Sequence, residues 1–144
     1  MAFPYKRILS AVDFDSSATS AIQETGALAR AADGVVILFH AQWTNPIAFE
    51  GYAAAELQKP QGGDASLKLE ELGKSTLSGA NYECEIGFGE AGDSILQTVR
   101  SCGADLIVIA THGRHGISRL MLGSVADHVA RSSTVPVLTV RRHS

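Results

Sequence analysis

The segment Asp105-Leu-Ile-Val-Ile-Ala-Thr-His-Gly-Arg-His-Gly-Ile-Ser-Arg-Leu-Met-Leu-Gly-Ser124 decides the fold of this chain and gives the first sign of a ligand site. Its apolar run from Leu106 to Ile109 predicts a buried strand, and Gly123-Ser124 predicts the start of a helix. The glycines between them predict a loop with uncovered backbone N–H groups beside a helix N-terminus. Such a place favours a phosphate group, because the helix N-terminus carries partial positive charge.

The rest of the chain repeats this alternation of strand and helix. Short apolar runs predict strands at 8–12, 35–39, 82–88, 106–109 and 135–140. Helical spacing between them predicts helices that begin after 13–17, at Asp64, at Gly92 or Asp93, and at Gly123-Ser124. Residues 42–63, rich in proline and glycine, predict a long irregular excursion with a short helical turn near 53–57. The order βαβαβαβαβ predicts an α/β fold, a five-stranded doubly wound parallel sheet with helices on both faces, in a single domain covering 1–144.

Composition narrows the functional class. The chain has 144 residues, 45% of them hydrophobic and 19% charged, with a formal net charge of −3. A stripe of basic residues is missing, which argues against a nucleic-acid partner. The longest apolar run is far too short for a membrane span, and the N-terminus lacks the apolar core of a signal peptide. Cys84 and Cys102 fit no paired motif and predict reduced thiols, so we expect a cytoplasmic protein.

The glycine loop can be interpreted either as a phosphate-binding loop or as a purely structural connection. Gly113 and Gly123 are separated by nine residues, and Ser124 follows. Glycine permits close approach of a phosphate to the backbone, and the Ser124 hydroxyl could donate to it. The alternative is that the glycines only form turns and that Ser124 is only an N-cap. The spacing matches neither the P-loop pattern nor the dinucleotide pattern.

Other polar residues fall at predicted strand ends, which a doubly wound sheet gathers at one rim. Asp13 could accept hydrogen bonds from a ligand, although it could instead cap the first helix. Arg114 could neutralise phosphate charge. His112 and His115 lack a third metal ligand with a convincing position, so we expect no metal held by protein side chains alone. The chain has no nucleophile elbow, and a cysteine at the middle of a strand, as Cys84 is, is usually inert, so we expect no catalytic residue.

The last predicted strand, 135–140, is apolar. If it lies at an edge of the sheet, its backbone N–H and C=O groups on one side lack hydrogen-bond partners, and the strand would be open to pairing with another chain. Pairing with the same strand of a second copy would supply those partners and would give a two-fold homodimer. The alternative is a central strand that is already paired on both sides.

Three segments together resemble the universal stress protein family over nearly the whole chain. They are the opening strand with its terminal aspartate, Tyr5-Lys-Arg-Ile-Leu-Ser-Ala-Val-Asp-Phe14; the late loop, Ile107-Val-Ile-Ala-Thr-His-Gly-Arg-His-Gly116 with Leu122-Gly-Ser-Val125; and the closing strand, Val135-Pro-Val-Leu-Thr-Val-Arg141. The resemblance implies a doubly wound α/β fold and a homodimer through residues 135–141. It is strongest to the branch of the family that binds ATP, for which Gly113, Gly123 and Ser124 match the motif.

That resemblance implies a site for ATP, AMP or ADP, with Mg²⁺ or Mn²⁺ at the phosphates. Asp13 and the backbone near Ala11 and Ala41 would hold adenine and ribose, Ile109 would pack near the base, and the late loop would surround the phosphates. The implied nucleotide-binding residues are Ala11, Val12, Asp13, Ala41, Ile109, Ala110, His112, Gly113, Arg114, Gly123, Ser124 and Val125.

Ala110 departs from the family motif, which has glycine there. If the ligand only passes this Cα, the extra methyl group needs a small shift. If the position needs a positive φ, alanine strains the loop by roughly 1 kcal/mol or more, which corresponds to about tenfold weaker binding.

The expected function is a dimeric stress-response sensor or regulator that binds ATP with little or no hydrolysis, because we find no residue placed as a general base. Two alternatives stay open. One is a dimeric interaction protein of the same family that binds no nucleotide, and the other is a slow ATPase. A phospho-receiver domain of similar fold is disfavoured, since the acidic residue and lysine that it needs are not evident.

Overall fold

A computed structural model describes residues 3–14, 19–42, 53–111 and 123–141, with the side chains of 53–64 outside the description. Strands and helices alternate along the chain. In order they are β1 (Arg7–Ala11), α1 (Thr19–Ala32), β2 (Val35–Gln42), α2 (Ala53–Thr76), β3 (Asn81–Phe88), α3 (Ala91–Cys102), β4 (Leu106–Thr111), α4 (Ser124–Ser132) and β5 (Val137–Arg141).

The five strands form one sheet in the order β3-β2-β1-β4-β5, and every neighbouring pair is parallel. The predicted α/β fold with its doubly wound parallel sheet is therefore confirmed. β1 is central, with Leu9 paired to Ile37 of β2 on one side and to Ile107 of β4 on the other. The chain runs outward from β1 in both directions, so the switch point of the topology lies between β1 and β4.

Alternating side chains of the central strands face two separate cores. Ile8, Val36 and Val108 face the side covered by α1 and α2. Leu9 and Ile107, which are sequence neighbours of Ile8 and Val108, face the side covered by α3 and α4. Burial on both faces explains why these strands read as continuous apolar runs. It also confirms the prediction of helices on both faces of the sheet.

The structure corrects the predicted excursion at 42–63. α2 begins at Ala53 and runs for 24 residues, so residues 53–63 are helical, and Asp64 lies inside the helix. Residues 53–59 are mostly good helix formers, and their propensity outweighs the punctuation by Pro60 and the following glycines. The part of the excursion at 43–52 lies outside the described residues. Within the described part of the chain, no helix is long and apolar enough to cross a membrane.

The first turn of α3 also differs from the prediction. The N-cap is Glu90, whose carboxylate accepts from the backbone N–H groups of Gly92 (2.9 Å) and Asp93 (2.7 Å). The sequence predicted a start at Gly92 or Asp93. Glutamate is an uncommon N-cap, but its second carboxylate oxygen lets it satisfy two unpaired donors of the first turn.

Candidate functional site

A cavity of about 150 Å³ lies beyond the carboxyl ends of β1 and β4, at the switch point of the sheet. This is where doubly wound α/β proteins hold small molecules. Its walls come from the ends of β1, β2 and β4 and from the first turns of α3 and α4. The lining residues are Ala11, Val12, Asp13, Phe39, His40, Ala41, Ala91, Ile95, Ile109, Ala110, Gly123, Ser124, Val125 and Ala126.

Every residue of the predicted site that the structure describes lines this cavity. Asp13 and Ala41 lie on one side of the switch point, and Gly123 and Ser124 on the other, more than 80 residues away in sequence. His112, Gly113 and Arg114 lie outside the described residues, so their predicted roles stay predictions. The geometry brings the two halves of the site together, as expected of strand ends in a parallel sheet.

Five lining residues are not among those predicted from the sequence, and for most of them the cause is the same. Most are apolar or small residues that also serve the core, so their type gives no functional signal. His40 is the exception: it is a polar residue that directly precedes Ala41, and its place beside a predicted strand end is the signal that could have found it. The five are Phe39, His40, Ala91, Ile95 and Ala126.

Gly123 shapes the edge of the cavity next to α4. It is the N-cap of α4, with φ 91° and ψ 150°, a combination that is essentially restricted to glycine. Ser124 is therefore the first residue of the helix and is exposed, so the alternative that Ser124 is the N-cap is wrong. Gly123 supplies no side-chain cap, and the first turn of α4 directs its backbone N–H groups and the positive end of the helix dipole towards this edge. An anion is favoured here.

Ala110 lies in β4, where it pairs with Val140 of β5. Its backbone is therefore extended. The described non-glycine residues with positive φ are Phe14 and Asp33, and Ala110 is not among them. Alanine costs no backbone strain at this position, and the remaining effect of its methyl group is the space that it takes at the cavity wall.

Asp13 is exposed and follows directly after Val12, at the end of β1. Both backbone groups of Val12 are bonded to β2. Its N–H donates to the Phe39 carbonyl at 2.7 Å, and its carbonyl accepts from Nδ1 of His40 at 2.7 Å. Phe14, after Asp13, has φ 63°, which costs a bulky residue about 1–2 kcal/mol. Its ring packs on His40 with centroids 4.3 Å apart.

The base of the cavity is apolar. Ile95, Ile109 and Ala126 are each at least nine-tenths buried and belong to the core under α3 and α4. The polar groups lie around this base: the Asp13 carboxylate, the His40 ring and the Ser124 hydroxyl. An apolar floor with a few convergent polar groups is the usual composition of a small-molecule site.

Cys84, which the sequence analysis regarded as inert, lies on β3 and is half-buried. Burial, and then the neighbouring Glu70 carboxylate, raises the pKa of the Cys84 thiol to about 11. A thiol with so high a pKa is protonated at neutral pH and is a poor nucleophile. The prediction that Cys84 is not a reactive thiol agrees with this environment.

The sheet order and the cavity at the switch point define the class of this protein: a doubly wound α/β domain with a cavity at the strand ends. The model of the universal stress protein family matches residues 4–141. The chain belongs to the universal stress protein family, as the resemblance implied.

Individual relatives are similar to this chain over nearly its whole length. The universal stress protein MJ0531 of Methanocaldococcus jannaschii is 28% identical, covering 96% of this chain and 83% of its own length. A solved structure of MJ0577, a universal stress protein from the same organism, has a TM-score of 0.82 at 29% identity, covering 97% of this chain and 98% of that one. A universal stress protein solved in complex with cAMP has a TM-score of 0.75 at 25% identity and covers 97% and 99%.

Proposed function

We propose that this protein binds an adenine nucleotide, with ATP as the expected ligand, in the cavity between β1 and β4. The observation that carries the proposal is the composition of that cavity. One side offers the Asp13 carboxylate, the opposite side offers the N-terminus of α4 at Gly123-Ser124, and the base between them is apolar. A nucleotide offers matching groups: a flat base, an amine and ribose hydroxyls that can donate to a carboxylate, and a phosphate chain.

Each part of the nucleotide has a physical reason for its place. The buried side chains of Ile95, Ile109 and Ala126 would pack on the flat faces of the base. The Asp13 carboxylate would accept hydrogen bonds from ribose hydroxyls or the base amine. The phosphates would lie at the positive end of α4, where glycine at 123 lets them approach the backbone. The relative solved with cAMP is one member of the family that holds an adenine nucleotide.

A Mg²⁺ or Mn²⁺ ion would accompany the phosphates. Magnesium usually keeps several waters and takes one or two protein oxygens beside those of the phosphates. Within the described lining residues, Asp13 supplies the carboxylate and Ser124 supplies a hydroxyl, so the donors fit an ion held mainly by the nucleotide. The ion would neutralise phosphate charge and would not bind in the nucleotide's absence.

We further propose that the protein acts as a homodimeric regulator in the stress response and turns over ATP slowly or not at all. β5 supports the dimer, because it is an edge strand whose Leu138 and Thr139 are exposed. A second β5 would continue the sheet. A binding protein of this kind reports nucleotide level through its occupancy and does not consume the nucleotide.

The direct test starts from protein purified without added nucleotide. The protein is denatured, released adenine nucleotides are identified, and the folded protein is titrated with ATP, AMP and cAMP by calorimetry. Asp13→Asn should weaken binding about tenfold or more, since a charged acceptor is lost. Asp33→Asn is the matched control, because Asp33 lies at the far end of α1 and does not line the cavity.

Two results would count against the proposal. Absence of co-purified nucleotide together with no binding at millimolar ATP would favour the family member that binds no nucleotide. Equal affinities for wild type, Asp13→Asn and Asp33→Asn would remove Asp13 from the site. Phosphate release that falls in Asp13→Asn but not in Asp33→Asn would show that the site itself hydrolyses ATP and would favour slow turnover over none.

A further inference from the structure

Asp13 has an unusual position for a residue that must present its carboxylate to a ligand. It is exposed and lies in the irregular segment that follows β1, whereas binding groups are better held on rigid elements. The residues on both sides of Asp13, however, contact the same side chain of β2. That side chain is His40.

The first contact extends the pairing of β1 with β2. The regular register ends with Ala11 opposite Phe39. Beyond it, the His40 ring supplies the next bond, at 2.7 Å between Nδ1 and the Val12 carbonyl oxygen. A carbonyl can only accept, so Nδ1 carries a proton and donates. The residue before Asp13 is therefore held to β2 at both its N–H and its carbonyl.

The second contact holds the residue after Asp13. Phe14 has φ 63°, a left-handed conformation that is unfavourable for an aromatic residue unless its surroundings hold it. Its ring packs on the His40 ring, with centroids 4.3 Å apart and an interplanar angle of 37°. The Lys68 ammonium of α2 lies 5.5 Å from the Phe14 ring centroid. The Phe14 ring is therefore close to side chains of both β2 and α2.

We infer that His40 is the positioning residue of the cavity. It fixes Asp13 from both sides, through the hydrogen bond to Val12 and the ring contact with Phe14, so that the carboxylate is held at the cavity before any ligand arrives. Its contribution to binding acts through Asp13. That contribution rests on the proposed nucleotide site, whereas the fixing of residues 12–14 does not.

A ligand-free experiment tests the fixing itself. Amide relaxation and hydrogen exchange are recorded for residues 12–14 in wild type, His40→Ala and His40→Asn. His40→Ala should speed exchange at these residues. His40→Asn should restore part of the protection, because the asparagine amide nitrogen occupies nearly the place of Nδ1. Nitrogen chemical shifts of neutral His40 should show the proton on Nδ1.

The matched control is His128→Ala, which removes an imidazole from α4 that does not line the cavity. It should leave exchange at residues 12–14 as in wild type. Unchanged exchange in His40→Ala, or a change as large in His128→Ala, would overturn the inference, whatever the protein binds.

A double-mutant cycle tests the effect on binding. With ATP as the probe, His40→Ala should weaken affinity severalfold in the wild-type background. In an Asp13→Ala background it should have almost no further effect, because His40 acts through the carboxylate that has been removed. Additive losses in the double variant would show a general loss of structure and would refute the positioning role. Failure of wild type to bind ATP would instead refute the proposed function and leave the exchange result to decide on His40.

Discussion

Gly123 is the residue at which a substitution best distinguishes a purely structural role of the α4 start from a role in binding phosphate. Its φ of 91° with ψ of 150° is closed to other residues without strain. Gly123→Ala should therefore lower the free energy of unfolding by about 1–3 kcal/mol. It should also weaken ATP binding about tenfold or more, because the shifted first turn of α4 no longer meets the phosphates. Denaturant unfolding and calorimetric titration measure the two effects.

Gly103 offers the matched control for that substitution. It ends α3 in a left-handed conformation, φ 72°, and is not part of the cavity wall. Gly103→Ala should cost about 1 kcal/mol of stability and should leave ATP affinity unchanged. If Gly123→Ala behaves in the same way, the start of α4 is a structural turn and not a phosphate site.

The limits of sequence reasoning at this scale are visible in three residues. Asp13 and Gly123 were found because a carboxylate at a strand end can bind a ligand and a glycine beside a helix start lets a phosphate approach the backbone. Ala110 raised a question about backbone strain that only the register could answer, and the extended pairing with Val140 answers it. Phe14 carries no sign of its positive φ, since nothing in the identity of an aromatic residue predicts a left-handed backbone.

At the scale of elements, α3 and α4 are joined beside the cavity by a pH-sensitive pair. Nε2 of His128 lies 2.8 Å from Oδ1 of Asp93. This hydrogen bond raises the pKa of His128 above its usual 6.5; partial burial opposes the shift, and the charges of Asp93, Glu90 and Asp127 support it. Because the pKa is raised on folding, the stabilisation is complete below the unfolded pKa and is lost as pH rises through the folded value.

His128→Gln should therefore lower the thermal midpoint more at about pH 5.5 than at about pH 9. The control is Arg131→Gln, which breaks the pair with Asp127, 3.0 Å away, between two residue types that keep their charge in this range. Its effect should be nearly the same at both pH values. A pH-independent loss in His128→Gln would mean that the ring contributes only by packing against α3.

The boundaries of elements were predictable where apolar periodicity was strong. β2, β4 and α4 begin within a residue or so of the expected positions, because burial on one or both faces leaves a clear pattern. The predicted start of α2 at Asp64 is wrong. Pro60 and the following glycines predict an irregular segment, whereas the residues before them are helical. Propensity at single positions is a weak guide when a long helix has other support.

At the scale of the whole molecule, the two edges of the sheet differ. β3 is the edge strand on one side of the sheet. It carries Glu83 and Glu85, and charged side chains on an edge strand discourage pairing with another chain. β5 ends the other edge, where Leu138 is 37% exposed. This contrast favours β5 over β3 as the surface for the proposed dimer.

Leu138→Glu should shift the protein from dimer to monomer in size-exclusion chromatography with light scattering, because it sets a charge in the expected interface. Phe88→Glu is the control: Phe88 is 49% exposed on β3, so the same charge at the opposite edge should leave the dimer intact. A wild-type monomer at high concentration, or equal effects of the two substitutions, would reject β5 as the dimer strand.

The central place of β1 also has a consequence for the protein during its synthesis. β1 is made first, yet its second neighbour, β4, follows roughly 95 residues later, which takes about 5–20 s on a ribosome. Until then one side of β1 has no partner strand, and the cavity lacks the walls that β4 and α4 supply. A molecule that fits this cavity therefore has nothing complete to bind on the growing chain, and it can stabilise the protein only after α4 has emerged.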